Sequence, residues 1–321
     1  MKKVTLKDIA KKLGLSVGAV SHALNGRGDI SQETKDIIFA CAKEMGYISN
    51  GAAASLRSGK TNTVAVIVPD ISNPHIAYQV KLVEEELRNN GYSAIILNTD
   101  EDEDTERNAI VVAASRQVDG ILLCPCQKSA KNVAYLRSLG VPFVLIGRYF
   151  ASEDTDYVVA NDPKSGYLAG KYLLKKGCVR PLYVGTYSYI ESSAQRFCGL
   201  QRAYQEKGIT LSDDCVVEIS PKTAPTDSLA EVLQGKTFDS VVAFSDLLAY
   251  GIIAALKDKS VPVVGFDGIN TRLPMPFTYC SVGMVKNGWA VDATNAILGK
   301  IAGKRRKTRK VVDVVTYRFD A

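Results

Sequence analysis

Histidine is scarce in this sequence, with His22 and His75 alone among 321 residues, and Trp289 is the one tryptophan. Neither histidine lies near cysteines at zinc spacing, which argues against a metal centre. The seven cysteines, Cys41, Cys124, Cys126, Cys178, Cys198, Cys215 and Cys280, contain no Cys-x-x-Cys pair. An odd number scattered over a long chain points to reduced packing residues rather than a disulfide framework. No apolar run approaches the ~18 residues that cross a bilayer. The basic start Met1-Lys2-Lys3 leads into no apolar signal core, so a cytoplasmic protein is expected, neither exported nor membrane-bound. Gly-x-Gly-x-x-Gly loops, Walker loops and nucleophile elbows are all missing. Nothing therefore nominates an enzyme, and we expect no catalytic residues, no cofactor and no metal.

Hydrophobic residues make up 46% and charged residues 23%, the mix of an ordinary globular chain. The net charge of +6 is unevenly spread. Residues 1–60 hold ten Lys/Arg against five Asp/Glu, whereas residues 61–303 hold 23 against 27. A basic head on a slightly acidic body is the electrostatic footprint of a nucleic-acid reader. The late run Lys304-Arg305-Arg306-Lys307-Thr308-Arg309-Lys310 lies between a helical pattern and a final strand, and reads as a solvated loop.

Apolar positions at Leu6, Ile9, Ala10 and Leu13 share one helix face. Thr5 is placed to cap that helix, with Asp8 as its reciprocal partner. Gly14 stops it, Ser16 caps a second helix reaching Leu24, and Asn25-Gly26-Arg27-Gly28 is turn chemistry. Ser31 caps a third, with Ile37, Ile38, Ala40, Cys41 and Met45 apolar and Gly46 as its stop. Three short helices with a tight first turn have helix-turn-helix geometry, which small helical bundles also share.

From Thr63 onward, short apolar strand runs alternate with helical patterns. A first series runs from Val64–Val68 to Phe143–Ile146, and a second from the helix at 166–176 to the strand at 261–266. Continuous apolar strands, each followed by a helix, imply parallel sheets covered on both faces. Two such halves predict an α/β body of two doubly wound subdomains with a cleft at the strand carboxyl ends.

Head, hinge and body together closely resemble the lactose-repressor/galactose-repressor (LacI/GalR) family over essentially the whole chain. The signature is carried by Thr5-Leu6-Lys7-Asp8-Ile9-Ala10, Leu15-Ser16-Val17-Gly18-Ala19-Val20-Ser21-His22-Ala23-Leu24-Asn25 and Met45-Gly46-Tyr47. By that resemblance the second helix enters the major groove, with Val17, Gly18 and His22 at the base-reading positions. Thr5, Leu6, Ser16, Ala19, Ser21 and Asn25 are implied beside them at the duplex. The segment Asn50-Gly51-Ala52-Ala53-Ala54-Ser55-Leu56-Arg57 resembles the family's hinge helix, too short to persist alone in water. Asn50, Ala53 and Leu56 are its implied DNA contacts, Leu56 as the minor-groove wedge. Three positions depart from the family pattern. Ala19 stands where Thr is usual, His22 where Arg is frequent, and Ala54 where an Arg is common. Losing the bidentate Arg–guanine contact removes discrimination worth ~1–3 kcal/mol.

In the body the resemblance nominates nine effector-binding residues. Asp70, Asn73 and His75 come from the first-strand loop, and Arg148 from the end of the fourth strand. Asn161 sits at the crossover, Arg196 in Gln195-Arg196-Phe197-Cys198-Gly199, and Ser245, Asp246 and Asp267 in two later strand-end loops. Carboxylates and an arginine around a cleft suit a hydroxyl-dense ligand such as a sugar. The same groups would also hold a nucleobase or a sugar phosphate.

The resemblance implies a homodimeric repressor of carbohydrate-utilisation genes, binding near-palindromic operator DNA under control of a small-molecule effector. On this reading residues 1–46 are the DNA-binding domain, 47–60 the hinge and 61–321 the effector-binding and dimerisation domain. Its first subdomain takes about 61–160 plus 285–303, and its second about 161–284 plus 310–321. The final strand pattern, Val311–Phe319, is followed by no heptad tail, so no tail-mediated tetramer is expected. Two other classes keep their discriminating features: a binding or transport protein would need a leader, and an enzyme would use Asp246 or Asp267 as a base.

Overall fold

The computed structural model describes residues 4–24, 30–47, 59–220, 222, 229–271, 279–284, 289–304 and 307–319. They fall into two compact units, Met1–Thr61 and Asn62–Ala321. None of their helices is long and apolar enough to cross a membrane.

The first unit holds helices α1 (Leu6–Leu13), α2 (Val17–Leu24) and α3 (Gln32–Glu44). Local chemistry sets each boundary. Asp8 Oδ2 accepts from the Thr5 backbone N–H at 2.8 Å and from its hydroxyl at 2.7 Å. Gly14 ends α1 at φ +67°, a left-handed conformation that glycine adopts without steric cost. Ser16 Oγ accepts from Ala19 N–H at 3.1 Å, and Ser31 Oγ from Thr34 N–H at 3.3 Å. Ile9, Ala10, Val20, Ala23, Ile38, Cys41 and Ala42 form the small core. A Lys12–Glu44 ion pair ties α1 to the end of α3 at 2.9 Å, on the surface.

The second unit begins with β1 (Thr63–Val68), α4 (Pro74–Asn89), β2 (Ser93–Asn98), α5 (Glu103–Ser115), β3 (Gly120–Leu123), α6 (Lys131–Ser138), β4 (Phe143–Ile146) and β5 (Tyr157–Ala160). It continues with α7 (Asp162–Lys175), β6 (Pro181–Thr186), α8 (Glu191–Gln205), β7 (Val216–Ile219), α9 (Ala230–Leu233), β8 (Ser240–Ala243), α10 (Asp246–Ala255) and β9 (Val263–Phe266). The last elements are β10 (Tyr279–Met284), α11 (Ala290–Ile301), β11 (Arg309–Val312) and β12 (Val314–Phe319).

Two six-stranded sheets result, ordered β2-β1-β3-β4-β5-β11 and β7-β6-β8-β9-β10-β12. Every neighbour pair is parallel except β10–β12. Alternate residues of β1 serve opposite faces. Val64, Val66 and Val68 pack with α4 and α11, while Ala65 and Ile67 pack with α5 and α6. Strands buried on both faces explain the unbroken apolar runs. The α4–α11 layer is continuous with the layer of α7 and α8 against β6, so one core cluster runs through both lobes.

The pattern expected as one strand over 311–319 is two strands in two different sheets. β11 extends the first sheet beside β5, Asp313 intervenes, and β12 runs antiparallel to β10 in the second. Assigning everything after residue 310 to the second subdomain is therefore corrected: Lys310–Val312 belong to the first sheet. Three described members of the basic run make surface ion pairs. Lys307 and Arg309 both pair with Asp154, Lys310 with Asp292 at 3.8 Å, and Lys300 with the largely buried Asp156.

Candidate functional site

In the head, α2 turns Val17 outward at 41% exposure, next to exposed Ser16 and Gly18. Ala19, Ser21 and His22 are half-buried, as is Leu6, and Thr5 is exposed. A Cβ at Gly18 would meet only Ser16 Oγ at 3.8 Å, so packing does not demand glycine there. The bare surface is a property of the sequence, not of the fold. Asn25, Asn50, Ala53 and Leu56, and with them the expected hinge contacts, lie outside the described residues.

In the body, the strand ends of the two lobes enclose a cleft of about 370 Å³. Asp70, Asn73, His75, Arg148, Arg196, Ser245 and Asp267 all line it, drawn together from seven separate sequence positions. Asp70 Oδ1 accepts from Ser72 N–H at 2.8 Å and from its hydroxyl at 2.7 Å, fixing the loop after β1. Asn73 caps α4 through His75 N–H at 2.9 Å, and Ser245 caps α10 through Leu248 N–H at 3.2 Å. Asp267 holds φ +103°, an uncommon conformation for a residue with a Cβ, just after β9. Such strain persists where surrounding structure dictates the position, and it clusters at ligand sites.

Asn161 and Asp246 do not line the cleft. Asn161 caps α7 by accepting from Lys164 N–H at 3.1 Å. Asp246 is fully buried, and its Oδ2 accepts from Ile269 N–H at 2.7 Å and Ser281 hydroxyl at 2.9 Å. A Cβ on Gly265 would lie 2.3 Å from its Oδ1, so the missing side chain there makes room for this carboxyl. Burial, reinforced by Asp267, pushes Asp246 well above the usual carboxylate range. It anchors the loop after β9 and offers no surface to a substrate, which removes it as a candidate base.

Sequence reasoning named Asp162 only as the neighbour of Asn161 at the crossover and passed over Glu101, both of which line the cleft, and Glu191 beside it. Asp162, 2% exposed, accepts from Arg196 Nε at 2.7 Å, while Arg196 Nη1 donates to Phe244 O at 2.7 Å. The guanidinium also lies 4.6 Å from the Phe266 ring centroid, within cation–π range. Burial pushes Asp162 up against the pull of Arg196, and Arg196 itself stays above its ordinary value because Asp162 and Asp267 outweigh its desolvation. Arg148 is gripped bidentately by Glu101 at 2.8 and 2.6 Å and also donates to Pro125 O at 3.3 Å. Both pairings join residues far apart in sequence, and no local pattern announces them.

Glu191 opens α8, and its backbone N–H donates to Gln127 Oε1 at 2.9 Å across the lobes. Gln127 Nε2 in turn donates to Tyr149 O at 2.7 Å, and Gln195 Nε2 to the Tyr149 hydroxyl at 3.4 Å. Glu191 Oε2 has no hydrogen-bond partner among the described residues. Its carboxyl is pushed up to about 8, first by burial and then by the nearby charge of Asp162. Among the described residues no cluster of His, Cys, Asp and Glu is arranged to hold a metal ion.

Comparison with known proteins matches both units. Residues 5–50 match the family model described as bacterial regulatory proteins, lacI family. Residues 61–279 match the model described as periplasmic binding proteins and sugar binding domain of LacI family. The HTH-type transcriptional repressor PurR of Histophilus somni (strain 2336) is 25% identical over 319 residues, covering 97% of this chain and 96% of the relative. The ribose operon repressor of Halalkalibacterium halodurans is 29% identical over 274 residues, covering 83% and 80%. Among solved structures, the lac repressor dimer bound to operator and the anti-inducer ONPF superposes with a TM-score of 0.80 at 16% identity, covering 99% and 98%.

Proposed function

The chain belongs to the LacI family of bacterial regulatory proteins, and from that premise we propose a homodimeric repressor of carbohydrate-utilisation genes, released or set by a sugar in the cleft. The observation that carries this reading is the convergence of seven of the nine expected effector residues on one cleft, in a chain whose first unit holds the three helices of the expected reading head. Carboxylates of Asp70 and Asp267 accept hydroxyl protons, and Arg196 Nη2 is left to donate after Nε and Nη1 are engaged. Phe244 and Trp289 supply apolar walls for a ring. Such alternation of polar and apolar lining is how a concave site orients a small ligand.

Control follows from linkage. A ligand that touches both lobes favours their closed arrangement, and any difference in DNA affinity between arrangements is then transmitted as a coupling free energy. On the DNA side, Val17, Gly18 and His22 read the major groove, while Ser16 and Ser21 hold phosphates. Thr5, Leu6, Ala19 and Asn25 stand beside them, and Asn50, Ala53 and Leu56 complete the contact through the hinge. No catalytic step is assigned, and ligand recovered after binding is expected unchanged.

The test is selection of duplexes by the full chain from a random library, followed by titration of the selected operator with uncharged sugars. A near-palindromic site, bound with a steep negative salt slope and released or tightened by one sugar, is expected. Failure to enrich any sequence would sink the repressor reading. Leu56→Ala is expected to weaken that operator while leaving the sugar-induced thermal shift in place.

A further inference from the structure

Most of the positive charge in the cleft is already matched. Arg148 is held bidentately by Glu101, the two side chains 10% and 12% exposed. Arg196 is held by Asp162 with Asp267 nearby. Among the described lining residues, four carboxylates (Asp70, Glu101, Asp162 and Asp267) face two arginines and the exposed Lys222. Three helix starts, the other common seat for an anion, are capped as well. Asn73, Asn161 and Ser245 each take a first-turn N–H of α4, α7 and α10. Helix α8 opens with the carboxyl of Glu191 in its first turn.

The Glu101–Arg148 pair is held by strained backbone. Asp100 and Glu101 adopt φ +52° and +53° in succession, a left-handed conformation that is unfavourable for residues with a Cβ. Asn98 Nδ2 donates to Asp100 Oδ1 at 2.5 Å, and Asn98 Oδ1 accepts from Ile71 N–H at 2.7 Å, tying this loop to the one after β1. The strain delivers a carboxylate to a guanidinium that would otherwise face the cleft with an open charge.

We propose that Glu101 is a specificity-determining residue that neutralises Arg148, so that the cleft takes an uncharged, hydroxyl-donating ligand and rejects phosphate esters. This refines the sugar reading above and rests on it. An uncharged polyol can donate to Asp70 and Asp267. A phosphate brings negative charge and mostly acceptors to a surface that already has an excess of carboxylates.

The experiment measures ligand affinity by calorimetry on the full chain, as wild type, Glu101→Gln and the double variant Glu101→Gln/Arg148→Met. The probes are inorganic phosphate, D-ribose with D-ribose 5-phosphate, and D-glucose with D-glucose 6-phosphate. Wild type is expected to bind neither ester more tightly than its parent sugar. Glu101→Gln, nearly isosteric, is expected to tighten inorganic phosphate by about ten-fold or more, the effect of one freed charge-assisted contact. That gain should vanish in the double variant, which separates the cleft from the basic head. An ester preferred by wild type, equal phosphate affinity in wild type and Glu101→Gln, or a gain persisting in the double variant would each overturn the proposal. The phosphate arm needs no sugar to bind, so failure of the uncharged sugars would count against the sugar reading alone.

Discussion

The two lobes repeat one strand order, second-first-third-fourth-fifth-sixth, yet they build their cleft walls differently. In the first lobe, Arg148 follows β4 and meets Glu101 from a strained loop after β2, both bordering the cleft. In the second, Arg196 rides on α8 and meets Asp162 at the start of α7, where the two helices touch backbone to backbone. An added Cβ on Gly166 would lie 1.7 Å from Arg196 O, and one on Gly199 would lie 2.0 Å from Pro163 O. One lobe therefore holds its ion pair by loop geometry, the other by helix packing. The difference teaches that similar charge arrangements can serve specificity on one wall and structure on the other.

The largest expected effect tests that division directly. Arg196→Ala leaves Asp162 buried and uncompensated, and should cost about 3–5 kcal/mol by urea unfolding as well as the ligand response. Arg148→Ala should cost clearly less, because the Glu101 side chain keeps 12% of its surface exposed, against 2% for Asp162, and can be hydrated. Equal losses would collapse the contrast between the walls. Next comes Gly199→Ala, for which we expect roughly 2–3 kcal/mol, since backbone must move to admit the methyl. In the first lobe, Gly120→Ala meets side chains alone, Ile297 at 2.8 Å and Ile301 at 3.0 Å, and should be milder. If Gly120→Ala proves the worse of the two, the tight α7–α8 contact is not what holds the second lobe.

The smallest effect lies at the seam between the lobes. Glu191 titrates at about 8 when folded, against 4.5 for the ordinary carboxyl. Its contribution to stability is fully present below pH 4.5 and is lost as pH rises through about 8. Glu191→Gln, which cannot ionise, should flatten the stability profile over that window by roughly 1–2 kcal/mol, after allowing for partial solvent screening. Parallel profiles for the two proteins would show that the seam tolerates the charge.

Much of this architecture was legible from apolar runs, because parallel strands buried on both faces need no alternation. What escaped notice was short or interrupted. The strand Tyr157–Ala160 is four residues long, and Tyr279–Met284 is diluted by Ser281 and Gly283. The switch at Asp313 was invisible because both sides of it stay extended. Only the pairing partners change, and pairing is long-range. In the site, resemblance nominated Asp246 and Asn161 from their places along the chain but could not tell which way they turn. Asp246 turns inward to the backbone of Ile269 and Asn161 to the first turn of α7, while the adjacent Asp162 takes the place beside Arg196. Glu101 could not be found locally, since its partner lies 47 residues on.

The edge strand β11 has a consequence for how the protein is made. It joins β5 from a point in the chain far downstream, with Asp156 and Thr308 in contact across 152 residues. On a ribosome adding roughly 5–20 residues per second, β5 waits on the order of 8–30 s before that neighbour emerges. During this interval the nascent first lobe carries an open strand edge, a template for pairing with another chain. The second lobe, whose six strands lie wholly within the later part of the chain, is emerging over the same interval. Vectorial synthesis thus leaves the lobe begun first to be completed among the last.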